Sequence, residues 1–184
     1  MEKNLQSEQI SAQPQSPATR RSILTSMATL LISTPALAVM DVKEEGKVFQ
    51  PGQKLTVDEA KERFKLARKD VQYLLDNYAK VCEGGGDNVR RYIGTVGVQS
   101  YMYGIRKVVK ELRDEADDIV EYTEAMNEFE AYLNQAEGAA YQSLFVEHSS
   151  AKGTPESFLA TAKEDVKQML KYMDELAVQL GIQV

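Results

Sequence analysis

Apolar residues recur at alternating spacings of three and four through most of the chain after residue 55, which is the repeat of one face of an α-helix. Thr56 and Glu59 have the spacing of a capping box, and Thr154 followed by Pro155 is typical of a helix start. Four helices with short connections predict an all-α fold, an antiparallel up-down-up-down four-helix bundle. The predicted helices cover residues 56–81, 87–113, 117–147 and 154–180.

Each predicted helix has one apolar face, and we expect the four faces to meet in the core. These faces use Met, Ala and Tyr more than Leu, so the core should contain side chains of mixed size. The faces consist of Val57, Ala60, Phe64, Ala67, Val71, Leu74, Tyr78 and Val81; Val98, Tyr101, Ile105, Val108 and Leu112; Ile119, Tyr122, Met126, Phe129, Leu133, Ala136 and Ala140; and Leu159, Ala162, Val166, Met169, Met173, Leu176 and Leu180.

The second predicted helix is the least regular of the four. It follows a triple glycine at residues 84–86, which we expect to end the first helix, and it contains Gly94 and Gly97. A glycine inside a helix costs roughly 1 kcal/mol relative to alanine, so these two indicate a close helix contact, a kink or a short break. Small residues at 138–140 would let a neighbour approach the third helix closely. We expect the other three helices to pack around the second.

Composition narrows the classes of function. The chain is 43% hydrophobic and 27% charged, which is ordinary for a soluble globular protein, and its formal net charge of -6 argues against nucleic-acid binding. Cys82 is the one cysteine and His148 the one histidine, so an internal disulfide is impossible and a Cys/His zinc site lacks ligands. We expect Cys82 to be a small half-buried residue and His148 to lie exposed in a turn.

The sequence contains no recognisable catalytic or cofactor motif. Paired Glu-x-x-His motifs of a di-iron bundle, a glycine-bounded nucleophilic serine and a phosphate-binding loop are all absent from it. The acidic stretch at residues 114–118 lacks the glycine and the ligand spacing of an EF-hand. We therefore predict a protein that is not an enzyme and has no catalytic residue, metal site or cofactor.

Residues 1–38 have the pattern of a cleavable targeting region. Arg20 and Arg21 directly precede a short apolar run, and Ala36 and Ala38 have the spacing of an A-x-A cleavage site. Paired arginines in this position are the twin-arginine signature, and the run is far shorter than the ~20 residues of a spanning helix. We expect an exported chain without a membrane span, made of an arm over residues 39–55 and the bundle over 56–184. The arm is either a loose terminus or an extended segment that packs on something.

The second predicted helix also carries a strip of basic residues, which is either a solvated face or a docking surface for an acidic partner. In the first turn of that helix, Arg90 and Arg91 would oppose the helix dipole, and local helix physics does not explain them. This favours docking. The strip consists of Arg90, Arg91, Arg106, Lys107 and Lys110.

Three segments carry a family resemblance: GGGDNVRRYIGTVG at residues 84–97, EADDIVEYTEAMNEFEAYLNQAEGAAYQSLF at 115–145 and HSSAKGTP at 148–155. Together with the export signal and the acidic helical body, they resemble the PsbQ-like extrinsic proteins of photosystem II. They are most similar to the additional four-helix extrinsic subunit of diatom photosystem II. The resemblance covers essentially all of residues 40–181, and its motifs are not catalytic.

The resemblance implies a subunit in the chloroplast thylakoid lumen, peripheral on the lumenal face of the membrane. Such subunits shield the oxygen-evolving complex and support calcium and chloride retention without ligating its manganese cluster. Their partners are the lumenal loops of the core antenna proteins and other extrinsic subunits. One alternative is an accessory or assembly subunit of another thylakoid complex, such as the chloroplast NADH dehydrogenase-like complex. Another is a free-standing exported bundle that binds a small ligand.

Overall fold

The computed structural model describes residues 53–150 and 152–184, and every regular element in these ranges is helical. The predicted all-α class is therefore confirmed for this part of the chain. The targeting region, with Arg20, Arg21, Ala36 and Ala38, and most of the predicted arm lie outside the described residues. The α-helices are α1 (Val57–Asp76), α2 (Tyr78–Cys82), α3 (Gly86–Tyr92), α4 (Ile105–Glu111), α5 (Ile119–Gln142) and α6 (Pro155–Gln179), with 3-10 turns at Arg113–Glu115 and Val146–His148.

The first predicted helix is formed by α1 and α2. The capping box at its start is confirmed, since the Thr56 hydroxyl accepts from the Glu59 N–H at 3.3 Å and Glu59 Oε2 accepts from the Thr56 N–H at 2.8 Å. The helix is interrupted at Asn77, whose side chain donates to the Tyr73 carbonyl at 3.0 Å. The triple glycine follows the end of α2 at Cys82, as predicted.

The prediction of one long second helix is wrong. α3 ends at Tyr92 and α4 begins at Ile105, and residues 93–104 between them have no helical structure. Gly94 has a φ of 76°, and a Cβ there would lie 2.3 Å from the carbonyl carbon of Met102. Only glycine fits this backbone and this contact. Of the alternatives that the glycines indicated, the structure has a break, and the close approach of Gly94 is to Met102 in the same non-helical segment.

The third and fourth predicted helices are α5 and α6, which make the most extensive helix–helix contact among the described residues. The expectation that the other helices pack around the second one is therefore wrong. The backbone N–H of Asp117 donates to the Gln179 carbonyl at 2.8 Å, so the start of α5 lies beside the end of α6. α5 ends at Gln142, earlier than predicted, and α6 begins after Thr154 as predicted.

The predicted apolar faces of α1, α2, α5 and α6 form most of the core. Their exceptions lie near helix ends: Val57 and Ile119 are exposed, and Leu159 is half-buried. Phe129 and Tyr122 are fully buried, and each such side chain contributes roughly 1.5–3 kcal/mol by leaving water. The Tyr122 hydroxyl donates to the Val109 carbonyl at 2.8 Å, so burial leaves this phenol with a partner.

The remaining expectations concern single residues. Cys82 is a half-buried free cysteine, and burial raises the pKa of its thiol, which lowers the thiolate fraction. His148 is exposed at the end of a 3-10 turn. Both agree with the predictions. Among the described helices, none combines the length and the apolar character that crossing a membrane requires.

Candidate functional site

Glycine brings α3 against the C-terminal half of α5. A Cβ on Gly86 would lie 2.0 Å from the carbonyl oxygen of Ala140 and 2.5 Å from the Ser143 hydroxyl, so a larger residue does not fit there. This is the close approach to α5 that its small residues predicted, although Gly138 takes no part in it, since a Cβ there would meet nothing within 4 Å. The contact places the last turn of α3 over the polar side of α5.

Arg90 connects α3 to α5. Its Nε and Nη2 donate to Glu137 Oε1 at 2.9 and 2.7 Å, and its Nη1 donates to Asp87 Oδ1 at 2.7 Å. The guanidinium also lies 5.0 Å above the Tyr141 ring, and its side chain is only 17% exposed. The hydrogen bond to Glu137 raises the pKa of Arg90, which keeps this partly buried group charged. The Arg90 guanidinium therefore has its hydrogen-bond acceptors within the protein.

The helix dipole does not oppose Arg90 and Arg91 in the structure. α3 ends at Tyr92, so both arginines lie in the last turn of their helix, where the dipole favours positive charge. Arg91 donates to the Asn88 side chain at 3.2 Å and is exposed. Their position is therefore explained by local helix physics, contrary to the sequence-based argument.

The rest of the basic strip lies on α4, and two of its residues reach α5. Arg106 Nη2 donates to Asn134 Oδ1 at 2.6 Å, and Lys110 Nζ lies 3.1 Å from Glu130 Oε1. Lys107 points elsewhere: its Nζ donates to the carbonyl of Gln53 at 2.8 Å. Within the predicted arm, the described residues 53–55 therefore pack on the helical body, and Leu55 contacts the core.

Glu130, Asn134 and Glu137 follow one another on α5 at spacings of four and three, which places them on one face of the helix. Glu130 pairs with Lys110, Asn134 with Arg106, and Glu137 with Arg90. Three residues of the basic strip therefore make polar contacts with α5. Sequence reasoning missed these partners. Their spacing on the polar side of the third predicted helix was the available signal.

The segment over residues 93–104 is also tied to α1. Asp70 Oδ2 accepts from the Ser100 hydroxyl at 2.9 Å and from the Tyr101 N–H at 2.6 Å. Arg63 Nη2 donates to the Tyr103 carbonyl at 2.6 Å, and Arg63 is buried enough to lower its pKa. The segment is therefore held from α1 as well as from α5, where Thr95 hydrogen-bonds Glu137.

A second surface lies on the opposite side of α5. A groove of about 690 Å³ runs between the first half of α5 and the last third of α6, and glutamates make up much of its lining. Within the described residues, Glu124 and Glu128 make no hydrogen bond or ion pair. Glu121 accepts from Gln179 Nε2 at 2.7 Å, and Glu175 lies 3.5 Å from Lys171 Nζ.

No group of three or more His, Cys, Asp or Glu side chains in the described ranges has the geometry to hold a metal ion. Comparison of the chain with protein-family models, with curated proteins and with solved structures finds no match. The comparisons therefore assign the chain to no family.

Proposed function

We propose that the chain is a non-catalytic, PsbQ-like extrinsic subunit of photosystem II. It lies in the chloroplast thylakoid lumen, peripheral to the membrane, where it shields the oxygen-evolving complex and supports calcium and chloride retention. The observation that carries the proposal is the resemblance of three sequence segments to this family. The first two of these segments also pack directly on each other, through Gly86 against Ala140 and Arg90 against Glu137.

The proposed architecture is the antiparallel four-helix bundle of that family. The first helix of this bundle consists of α1 and α2. The second position is filled by α3, the segment 93–104 and α4, and the third and fourth helices are α5 and α6. The contact of Asp117 with Gln179 supports opposite directions for the last two helices.

The basic strip is the proposed docking surface for acidic lumenal loops, with a narrower set of residues than the sequence suggested. Arg90, Arg106 and Lys110 all contact α5. The Lys110 side chain is nevertheless 58% exposed, and Arg91 is exposed as well. Arg113 follows α4 and adds another exposed cation. Exposed ion pairs contribute only ~0.2–1 kcal/mol each, so docking needs several of them and weakens with salt.

The test is rebinding to salt-washed photosystem II membranes. The chain lacking residues 1–38 should cosediment with them and restore oxygen evolution. The variant R91E/K110E should remain helical and rebind less, most clearly at low salt. The matched control K69E/K80E reverses two exposed lysines on α1 and α2 and should rebind like the parent.

Two results would count against this proposal. If R91E/K110E rebinds like the parent across a salt titration, the strip is not the docking face. If the parent itself fails to bind these membranes but cofractionates with the NADH dehydrogenase-like complex, the alternative assignment replaces photosystem II.

A further inference from the structure

The groove between α5 and α6 contains two carboxylates, those of Glu124 and Glu128, that pair with no described residue. Glu121, Glu124 and Glu128 follow one another on α5 at spacings of three and four, so their like charges lie on one face and repel each other. Gln179 hydrogen-bonds Glu121, but no described residue pairs with Glu124 or Glu128. Glu121 lies in the first turn of α5, where the helix dipole favours negative charge. Glu124 and Glu128 lie beyond that turn and carry charge that no described residue neutralises.

Apolar side chains accompany these carboxylates at the surface. Val178 on α6 lines the groove and is 70% exposed. Val120 is 67% exposed and lies one helical turn before Glu124, which places it on the same face of α5. Single exposed apolar residues are ordinary. Here Val178 lines the groove and Val120 lies beside it on the face of α5 that carries Glu124, so exposed apolar and acidic side chains are neighbours. An amphipathic helix with an apolar side and a basic side complements this surface.

We propose that the α5–α6 groove binds a basic amphipathic helix of a partner protein. The apolar side of that helix contacts Val178 and Val120, and its lysines or arginines reach Glu124 and Glu128. Charge complementarity selects this partner, because an anionic lipid surface or a nucleic acid would be repelled by the same carboxylates. At ~100° per residue the groove lies on roughly the opposite side of α5 from Glu130 and Glu137. The groove is therefore separate from the basic strip and does not depend on its function.

The test uses a synthetic peptide of leucine and lysine, about four helical turns long, with its leucines on one face. Amide chemical shifts of the isotope-labelled full-length chain should change on α5 around Glu124 and Glu128 and on α6 around Val178. The variant E124K/E128K should bind the peptide about tenfold more weakly. It should also acquire binding to the corresponding peptide of leucine and glutamate.

The control variant is E83K/E147K, which changes the net charge equally at exposed sites outside the groove. It should bind the lysine peptide like the parent. Equal weakening by both variants would reduce the effect to net charge and overturn the proposal. Calcium alone shifting the same amides and displacing the peptide would also overturn it, because the groove would then be a cation site. If E124K/E128K does not fold, E124Q/E128Q preserves side-chain size and should still weaken peptide binding.

Discussion

The two sides of α5 use charge in opposite ways. On one side, Glu130, Asn134 and Glu137 each hold a side chain from α4 or α3. On the other side, Glu124 and Glu128 hold no described residue. The difference follows from the neighbours: α3 and α4 have seven residues each, whereas α6 has 25. Helices as short as α3 and α4 are unstable alone, and polar contacts help to fix them.

The long helices α5 and α6 do not depend on polar contacts to hold them in place. They meet along continuous apolar faces that include Phe129, Ala136, Val166 and Met173, all fully buried. Charges on their outer side therefore contribute little to folding. Basic residues on short helices can therefore hold the fold together within the same strip that is proposed to dock: Arg90 and Arg106 contact α5, whereas Arg91 is exposed. Glu124 and Glu128, which pair with no described residue, have no such part in the fold.

The largest expected effect on stability comes from a substitution at the contact between α3 and α5. Gly86→Ala places a Cβ 2.0 Å from the backbone oxygen of Ala140, which cannot move without distorting α5. We expect a loss of about 3 kcal/mol in the free energy of unfolding, from the cost of overpacking. Urea denaturation followed by circular dichroism measures it.

Gly138→Ala is the matched control for that substitution. A Cβ at Gly138 meets no heavy atom within 4 Å, and alanine favours a helix interior. This variant should be more stable than the parent by about 0.5–1 kcal/mol. Equal stability of the Gly86 variant and the parent would mean that α3 does not rest on Ala140.

The second prediction separates the engaged carboxylates from the unpaired ones. Glu137→Ala leaves Arg90 partly buried without its main acceptor and also removes a partner of Thr95. The free energy of unfolding should fall by about 2 kcal/mol. Glu128→Ala, on the groove side, should change it by less than about 0.5 kcal/mol. Chemical denaturation of both variants provides the comparison.

A double-mutant cycle sharpens this second prediction. With Arg90→Ala as the partner change, Glu137 should show a coupling of about 1–2 kcal/mol, whereas Glu128 should show none. A similar loss of stability for Glu137→Ala and Glu128→Ala would remove the distinction between the two sides of α5.

Much of the helical structure followed from local patterns. Thr56 and Thr154 begin helices as predicted, because an N-cap depends on residues within the next turn. For the second helix, Gly94 and Gly97 indicated a contact, a kink or a break, but local patterns did not decide among them. Val98, Tyr101 and Ile105 have helical spacing, yet Asp70 binds the backbone N–H of Tyr101 from α1. A contact across 31 residues leaves no local signal.

The sequence showed the basic residues of the strip but not the residues that they contact. The basic strip was visible as a charge pattern. Arg90 was expected in the first turn of a helix that continues to residue 113, whereas α3 ends two residues after Arg90. Because of the break between α3 and α4, Arg90 lies in the last turn of its helix. The partners on α5 could have been sought by matching the spacing of Glu130, Asn134 and Glu137 to a neighbouring helix, which requires knowing which helices are neighbours.

The smallest expected effect concerns a carboxylate that is paired locally, at the start of α1. The backbone N–H of Thr56 hydrogen-bonds Glu59 and lowers its pKa below the ordinary value of 4.5. A carboxyl group whose pKa is lower in the folded than in the unfolded chain stabilises the fold fully above its unfolded pKa, and this contribution is lost as pH falls through the folded pKa. Glu59→Gln should therefore be slightly less stable than the parent near pH 7, and the difference should shrink below about pH 4. Urea midpoints of both chains across this range measure it. A difference that stays constant with pH would show that the ionised carboxylate of Glu59 does not strengthen the cap, in contrast to the ion pair of Glu137.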